Sequence, residues 1–256
     1  AGRCERRDGK NQMEKKLYWM FKNVLIGPFL HVWNRPVMDG VENIPAEGAA
    51  IVASTHQSVM DSFFLALMIP RRITYPAKSE YFTAPGVVGA VQRWFFKSIG
   101  QIPVDRGAPD AGAATLAATR PLLEKGGVLG IYPEGTRSPD GRLYKGRTGM
   151  ARIALATDAP IIPLAMIGSR EANPIGTWIP RPKKVRMKVG EAIDGRAYVE
   201  SLGIDPDSRE AARPLTDHVM AVLAELSGQP YVDMYASEVK ASLAAGKGYP
   251  HGTEPK

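Results

Sequence analysis

The sequence has few of the residues from which disulfides and metal sites are built. It contains one cysteine, Cys4, and four histidines among 256 residues. A lone cysteine cannot close an intramolecular disulfide, which weakly favours a reducing compartment, and scattered histidines without a cysteine cluster offer no zinc ligand set. The sequence also lacks a G-x-S-x-G turn, so no serine nucleophile of the hydrolase type is expected. We therefore predict neither a metal ion nor a resident cofactor.

The sequence also lacks a long uninterrupted apolar run. Its one membrane-directed segment, KKLYWMFKNVLIGPFLHVW at 15–33, is broken by polar residues and a Gly-Pro pair, whereas a spanning helix needs about 17 to 25 apolar residues. Its aromatic rings and lysines suit an anionic membrane surface: Tyr18, Trp19, Trp33, Lys15, Lys16 and Lys22. We predict a helix, a break and a second short helix lying on the membrane. The alternatives are a helix packed on the protein's own core and a signal peptide, although no small-residue cleavage site follows.

The charge balance indicates anionic partners. The net charge of +7 favours phosphate-bearing substrates, acidic lipid surfaces or nucleic acid. Nucleic acid is the weakest of the three, because the aromatic residues are not interleaved with the basic runs and no nucleic-acid fold signature is present. We therefore expect no nucleic-acid partner.

The order of elements is typical of an α/β protein with one main domain. The predicted strands are 50–53, 73–76, 102–104, 127–132, 161–167 and 185–189, and the predicted helices are 61–68, 86–96, 110–125, 148–156 and 209–226. The predicted divisions are a disordered polar stretch at 1–12, membrane-interface helices at 13–36, the α/β domain at 37–228 and a tail at 229–256.

A histidine and an aspartate follow the first predicted strand. His56 and Asp61 lie five positions apart. A carboxylate that accepts a hydrogen bond from one ring nitrogen fixes the tautomer and leaves the other nitrogen free to take a proton from an alcohol. The pair alone is a weak motif, and a structural histidine in a turn is the alternative.

Cations and a glycine turn follow three further predicted strands. In YPEGTRS, at 132–138, Gly135 permits a tight turn that brings amide N–H groups and Arg137 onto an anion. Arg106 follows the strand 102–104, and Lys78 follows 73–76. Each of these is, by itself, compatible with a solvated loop. Because ligands of α/β sheets bind at the carboxyl ends of strands, together they predict one crevice.

These segments together resemble the glycerophospholipid acyltransferase family, whose best-known bacterial members are 1-acylglycerol-3-phosphate acyltransferases. Four segments within 54–164 match its motifs in the family's order: HQSVMD at 56–61, GQIPVDR at 100–106, YPEGTRS at 132–138 and APIIPL at 159–164. Two positions depart from it, since Thr55 stands where asparagine is frequent and Tyr132 where phenylalanine is frequent.

The resemblance implies a fold and a set of roles. The fold is an α/β acyltransferase domain with a mixed, largely parallel sheet flanked by helices, preceded by the membrane-associated segment. His56 is implied as the general base and Asp61 as the residue that orients it. The implied substrate-binding residues are Lys78, Arg106, Glu134, Gly135, Thr136 and Arg137. The sequence does not identify the oxyanion donors, for which backbone N–H groups near His56 or Gly135 are candidates.

The expected reaction transfers a fatty acyl group from acyl-CoA or acyl carrier protein to a hydroxyl of 1-acylglycerol 3-phosphate. Glycerol 3-phosphate or another lysophospholipid is an alternative acceptor. The alternative from a different class is a non-catalytic module that binds anionic membranes. We expect a peripheral or monotopic protein on the cytoplasmic face of the membrane, with the bilayer surface and its anionic lipids as partners.

Overall fold

The computed structural model describes residues 19–25, 27–78, 86, 101–104, 111–177 and 180–255. The strands are β1 Val37–Asp39, β2 Ala50–Ser54, β3 Ile73–Thr74, β4 Pro76–Lys78, β5 Ile102–Val104, β6 Val128–Ile131, β7 Leu143–Tyr144, β8 Ile161–Ile167, β9 Arg186–Val189 and β10 Tyr231–Val232. The helices are α1 Gly27–Trp33, α2 Asp61–Met68, α3 Ala111–Glu124, α4 Gly149–Thr157, α5 Ser169–Ala172, α6 Gly195–Ser201, α7 Ala212–Ser227 and α8 Ala236–Ala244.

Six strands form the central sheet, in the order β1-β9-β8-β2-β6-β3. The four strands β8, β2, β6 and β3 are parallel to one another, whereas β9 is antiparallel to β8 and β1 follows the direction of β9. Two smaller parallel pairs accompany it, β4 with β5 and β7 with β10. The sheet is mixed and largely parallel, as predicted.

Helices cover both faces of this sheet, and its central strands are therefore buried on both sides. All five residues of β2 are buried, and alternate residues face opposite layers. Ile51 and Leu129 pack against α4 and α7, whereas Val52 and Val128 pack against α2 and Leu30 of α1. The result is a three-layer α/β domain in which the sheet positions the loops that follow β2 and β6 side by side.

Two predicted strands and one predicted helix are confirmed to the residue, three other strands differ by one or two residues at their ends, and one predicted strand is divided. Strands 102–104 and 161–167 and the helix 61–68 have the predicted bounds, while the predicted helix 86–96 lies outside the described residues apart from Gly86. The predicted strand 73–76 is instead two strands that belong to different sheets and separate at Tyr75. Gly130 explains the separation: a Cβ there would lie 2.3 Å from the Tyr75 ring, so its absence lets the ring pack against β6.

The segment 229–256 differs from the predicted tail. Strand β10 pairs with β7, and α8 packs a small apolar cluster formed by Tyr144, Val232, Ala236 and Val239. The guanidinium of Arg142 donates to the backbone carbonyls of Thr253 and Glu254, which fastens the end of the segment to the domain. This cluster has few apolar residues, so it leaves no clear periodic pattern in the sequence.

The N-terminal segment packs in part on the domain core, which was one of the alternatives open at the sequence level. A π-helical turn, Phe21–Leu25, precedes α1, and Leu30 is fully buried in the core. Several other side chains of the segment are apolar and exposed: Trp19, Met20, Val24, Phe29, Val32 and Trp33. The Lys22 ammonium donates to the Ile69 carbonyl at 2.8 Å, and the membrane contact of this segment stays a prediction. Across the described ranges, no helix has both the length and the apolar character that crossing a membrane requires.

The layered core predicts a large difference between two otherwise identical leucine substitutions. Leu129 is fully buried in β6, and Leu202 is 49% exposed after α6. Leu129→Ala should lower the free energy of unfolding by about 2 to 5 kcal/mol, because it leaves a cavity between the sheet and its helices. Leu202→Ala should change it by less than about 0.5 kcal/mol. Urea unfolding of both variants measures the difference, and equal losses would contradict this packing.

Candidate active site

His56 and Asp61 are brought together by a short loop between β2 and α2. The Nδ1 atom of His56 lies 3.0 Å from Oδ2 of Asp61, whose side chain is fully buried. The same oxygen accepts the backbone N–H groups of Gln57 at 2.7 Å and Ser58 at 2.8 Å. Because Asp61 is the first residue of α2, its carboxylate reaches back and closes the loop that carries His56.

The hydrogen bonds around Asp61 decide which nitrogen of His56 carries the proton. An oxygen that accepts two backbone N–H groups is an acceptor, so Nδ1 is the donor in the contact with His56. In the neutral imidazole, Nε2 is then the unprotonated nitrogen and can take a proton from a substrate. The His56 side chain is 18% exposed, so the ring is accessible while its partner is not.

An aromatic stack fixes the plane of the His56 ring. The rings of His56 and Tyr132 are nearly parallel, with centroids 3.8 Å apart, and Tyr75 stacks on Tyr132 at 5.8 Å. The Tyr132 hydroxyl shares a 2.7 Å hydrogen bond with Ser62, and burial holds the pKa of this hydroxyl well above its usual value. Phenylalanine at this position would keep the stack and lose the hydrogen bond to Ser62.

The loop after β6 is fastened to the main chain of His56 at two points. The Glu134 carboxylate accepts the backbone N–H of His56 at 3.2 Å through one oxygen and that of Tyr144 at 3.0 Å through the other. The Ser138 N–H donates to the His56 carbonyl at 2.8 Å. Glu134 is buried and holds this loop in place, and the substrate contact implied for it stays a prediction.

The backbone N–H groups of His56 and Gly135 themselves are engaged within the protein. The N–H of His56 donates to Glu134, and that of Gly135 donates to the Tyr132 carbonyl at 2.9 Å. These two groups are therefore not free to act as oxyanion donors, and the candidates among their neighbours stay predictions. Gly135 has a φ of +73°, a left-handed conformation that favours glycine and turns the chain toward residues 136 and 137.

Of the three predicted phosphate-binding cations, the structure describes the side chain of one. Arg137 is half-buried on the loop after β6, next to Thr136. Lys78 ends β4 and is paired in register with Val104, the last residue of β5, but its side chain lies outside the described set. Arg106 also lies outside the described residues. The structure thus joins His56, Asp61 and the loop after β6, and the predicted contributions of Lys78 and Arg106 stay predictions.

Two cations from the loop and the C-terminal segment were missed at the sequence level. Lys240 of α8 donates to the Thr136 hydroxyl at 2.9 Å. Arg147 lies against Gly135, stacks over the Tyr235 ring and donates to the Ser237 hydroxyl at 2.8 Å. Lys240 was not considered as a site residue because segment 229–256 was predicted to be a tail. Arg147 was not considered because it lies outside the four motifs. No group of three or more His, Cys, Asp and Glu side chains in the described part of the chain is arranged to hold a metal ion.

The arrangement of a buried carboxylate, a histidine and a glycine turn after neighbouring strands can be compared with known proteins. A sequence profile of the Acyltransferase family matches residues 35–167, which carry both His56–Asp61 and the loop after β6. The chain belongs to the Acyltransferase family.

Three relatives within this family are similar to the chain. It is 29% identical to a chloroplastic 1-acyl-sn-glycerol-3-phosphate acyltransferase from Arabidopsis thaliana, over 69% of this chain and 47% of that protein. It is 31% identical to the 1-acyl-sn-glycerol-3-phosphate acyltransferase of Bacillus subtilis, over 59% of this chain and 70% of the relative. The crystal structure of the 1-acyl-sn-glycerophosphate (LPA) acyltransferase from Thermotoga maritima aligns with a TM-score of 0.62 and 26% identity, over 92% of this chain and 83% of that one.

These matches confirm the fold and the family membership expected from the motifs. The chain spans about half the length of the Arabidopsis relative and 61% of a Limnanthes douglasii enzyme of the same name. The extent of the T. maritima alignment shows that the likeness extends beyond the four motifs to most of the domain.

The buried carboxyl of Glu134 predicts a particular pH dependence of stability. Burial raises its pKa to about 8 in the folded protein, against about 4.3 in an unfolded chain. Between these values the folded protein keeps a proton that the unfolded chain has lost, so the stability contributed by this group falls as pH rises and is gone above about pH 8. The glutamine of Glu134→Gln does not titrate. The variant should therefore reduce the slope of the free energy of unfolding against pH by up to about 1.4 kcal/mol per pH unit.

Urea unfolding of wild type and Glu134→Gln between pH 5 and pH 9 measures this difference in slope. The variant should also be less stable at every pH, because its amide NH₂ faces one of the two backbone N–H groups that the carboxylate accepts. Parallel pH profiles for the two proteins would show that Glu134 is ionised in the fold.

Proposed function

We propose that this protein transfers a fatty acyl group from an acyl thioester to the free hydroxyl of 1-acylglycerol 3-phosphate, forming phosphatidate. The observation that carries the proposal is the contact between His56 and the buried Asp61, at the carboxyl end of β2 and beside the loop after β6. The names of three similar proteins, from A. thaliana, B. subtilis and T. maritima, support the choice of acceptor.

In the proposed mechanism, Nε2 of His56 accepts the proton of the acceptor hydroxyl as its oxygen attacks the thioester carbonyl. The tetrahedral intermediate collapses by breaking the carbon–sulfur bond. The leaving thiolate takes the proton back from His56, so the products are the new ester and a free thiol. Asp61 orients the ring and stabilises its positive charge while the proton is held there.

The acceptor's phosphate gives the basic residues their proposed role. We assign Arg137 to this group, together with Lys78 and Arg106, because guanidinium and ammonium groups are well matched to phosphate oxygens. Thr136 and Gly135 shape the loop that presents Arg137. The thioester carrier is either coenzyme A or acyl carrier protein, and no resident cofactor or metal is required by this chemistry.

A membrane surface is the proposed location of the reaction, since both the acceptor and the acyl chain are lipids. The exposed apolar side of the N-terminal segment supports it, because its aromatic and aliphatic side chains are suited to the headgroup boundary of a bilayer. We propose that this side rests on the cytoplasmic face of the membrane, next to anionic lipids, and that the protein is peripheral or monotopic.

A second candidate function keeps the membrane surface and omits the reaction. A non-catalytic module that binds anionic lipid would use the exposed N-terminal side chains and the net charge of +7. The ordered contact between His56 and Asp61 favours the enzyme, because membrane binding alone has no use for a positioned base.

The assignment of His56 is tested by the variant His56→Ala. We expect transfer from a long-chain acyl-CoA to 1-acylglycerol 3-phosphate to fall by about 10²- to 10⁴-fold, the range that a general base typically contributes. Thermal unfolding and vesicle binding serve as controls and should be nearly unchanged, because the ring is not part of the core. Retention of most of the activity would exclude His56 as the base.

The same assay separates the acceptors. Glycerol 3-phosphate offered beside 1-acylglycerol 3-phosphate should be the poorer substrate. If glycerol 3-phosphate were preferred, the mechanism would stand and the acceptor would be corrected. Salt-sensitive vesicle binding with no transfer to any acceptor would favour the binding module.

Membrane attachment is tested at Val32, which is 79% exposed on α1. Val32→Asp should weaken binding to anionic vesicles by about tenfold or more, since a carboxylate is costly at an apolar membrane contact. Leu202→Asp makes a like change at a residue that is 49% exposed on another part of the surface and should have little effect. Vesicle sedimentation measures both, and equal behaviour of the two variants would argue against attachment through α1.

A further inference from the structure

Helix α8 brings a lysine to the loop that adjoins the candidate base. The Lys240 ammonium lies 2.9 Å from the hydroxyl of Thr136, and both residues are half-buried. Thr136 is next to Arg137, so two cations from segments about one hundred positions apart in the sequence meet at one loop. Helix α8 is held there by its own contacts, because Arg147 stacks on Tyr235 and donates to Ser237.

Among the residues that the structure describes, neither Arg137 nor Lys240 is in an ion pair. Burial lowers the pKa of Lys240, and the positive charge of Arg137 lowers it further. Glu134 offsets this little at neutral pH, because burial raises its own pKa to about 8. Like charges in a partly desolvated place are unfavourable, and an anion bound between them would relieve the repulsion.

The backbone adds unused donors at the same place. The N–H groups of Thr136 and Arg137 have no hydrogen-bond partner among the described residues, whereas those of Gly135 and Ser138 on either side are paired. In the described part of the chain, the two N–H groups and Arg137 thus have no recorded acceptor, and Lys240 has the neutral Thr136 hydroxyl as its acceptor. A phosphate monoester, with its several negatively charged oxygens, matches this set of donors.

The position of this set relative to His56 indicates which phosphate it would take. The residues Thr136 and Arg137 lie between Glu134 and Ser138, which are both hydrogen-bonded to the backbone of His56. In 1-acylglycerol 3-phosphate, the hydroxyl and the phosphate are on adjacent carbons. A hydroxyl placed at His56 therefore carries its phosphate only a few ångströms away.

We propose that Lys240 is a substrate-binding residue that, together with Arg137 and the N–H groups of Thr136 and Arg137, holds the acceptor's phosphate. This inference rests on the proposed acyl transfer for its choice of acceptor. It assigns the C-terminal helix α8 a part in the site, which none of the four sequence motifs covers. Coenzyme A also carries phosphates, so the donor is the other source of the same chemical group.

The test compares Lys240→Gln with Lys240→Arg and with Lys247→Gln. Lys247 is exposed beyond the end of α8, so the control makes the same charge change away from the site. Lys240→Gln should raise the KM for 1-acylglycerol 3-phosphate by about tenfold with kcat within about twofold, as expected when a charged hydrogen bond to bound substrate is lost. Lys240→Arg should recover much of this loss, and Lys247→Gln should behave as wild type.

Two further measurements distinguish the phosphate of the acceptor from the phosphates of coenzyme A. Transfer to monoacylglycerol, which has no phosphate, should be unaffected by Lys240→Gln. The KM for acyl-CoA should also be unchanged. A rise in that KM, absent with an acyl-pantetheine donor, would keep the phosphate site and reassign it to the donor.

A binding measurement keeps this inference separate from the proposed reaction. Calorimetry without an acyl donor, on His56→Ala protein, should show 1-acylglycerol 3-phosphate binding about tenfold more weakly when Lys240→Gln is added. If the wild-type protein transfers no acyl group, but Lys240→Gln still weakens the binding of 1-acylglycerol 3-phosphate, the proposed reaction fails and the phosphate site stands. Unchanged affinity and unchanged KM values in a folded Lys240→Gln protein would overturn the role of Lys240.

Discussion

The arrangement of the candidate active site depends on a single carboxylate oxygen. Oδ2 of Asp61 accepts hydrogen bonds from the His56 ring and from the backbone of Gln57 and Ser58, and the side chain is shielded from solvent. With two backbone donors already on this oxygen, the His56 ring donates to it through Nδ1, which fixes the tautomer of the base. Asp61 is also the first residue of α2, and α2 packs on the sheet. The position of the carboxylate, and with it that of the His56 ring, is therefore fixed by the domain core.

A second carboxyl, that of Glu134, connects the base to the neighbouring strand. Strands β2 and β6 are adjacent in the sheet, so the loops that follow them lie side by side, and Glu134 accepts the N–H of His56 across the gap. Ring stacking of Tyr132 on His56 adds a contact from the same loop. The plane of the ring, its tautomer and its main chain are therefore set by three different interactions, all from residues that flank two neighbouring strands.

Much of this could be predicted from the sequence, because the motifs sit at the ends of strongly patterned strands. The runs that became β5 and β8 and the helix α2 were predicted to the residue, and so was the pairing of His56 with Asp61. The burial of Glu134 could not be predicted, because it depends on backbone N–H groups of residues elsewhere in the sequence. From the sequence alone, a carboxylate after a strand indicates a residue that contacts substrate. Lys240 was missed for another reason: the cluster that holds α8 has too few apolar residues to produce a periodic pattern.

The site combines groups that are satisfied within the protein with groups that are not. Oδ2 of Asp61 and both carboxyl oxygens of Glu134 have hydrogen-bond partners in the described structure, which suits groups that must hold geometry through a reaction cycle. Lys240 of α8 meets the loop that carries Arg137, and within the described residues neither side chain has an ion-pair partner. Two cations held together in this way repel each other, and the proposed phosphate would relieve that repulsion. The side chains that position the base are thus stabilised by the protein itself, and the side chains proposed to bind phosphate are completed by the substrate.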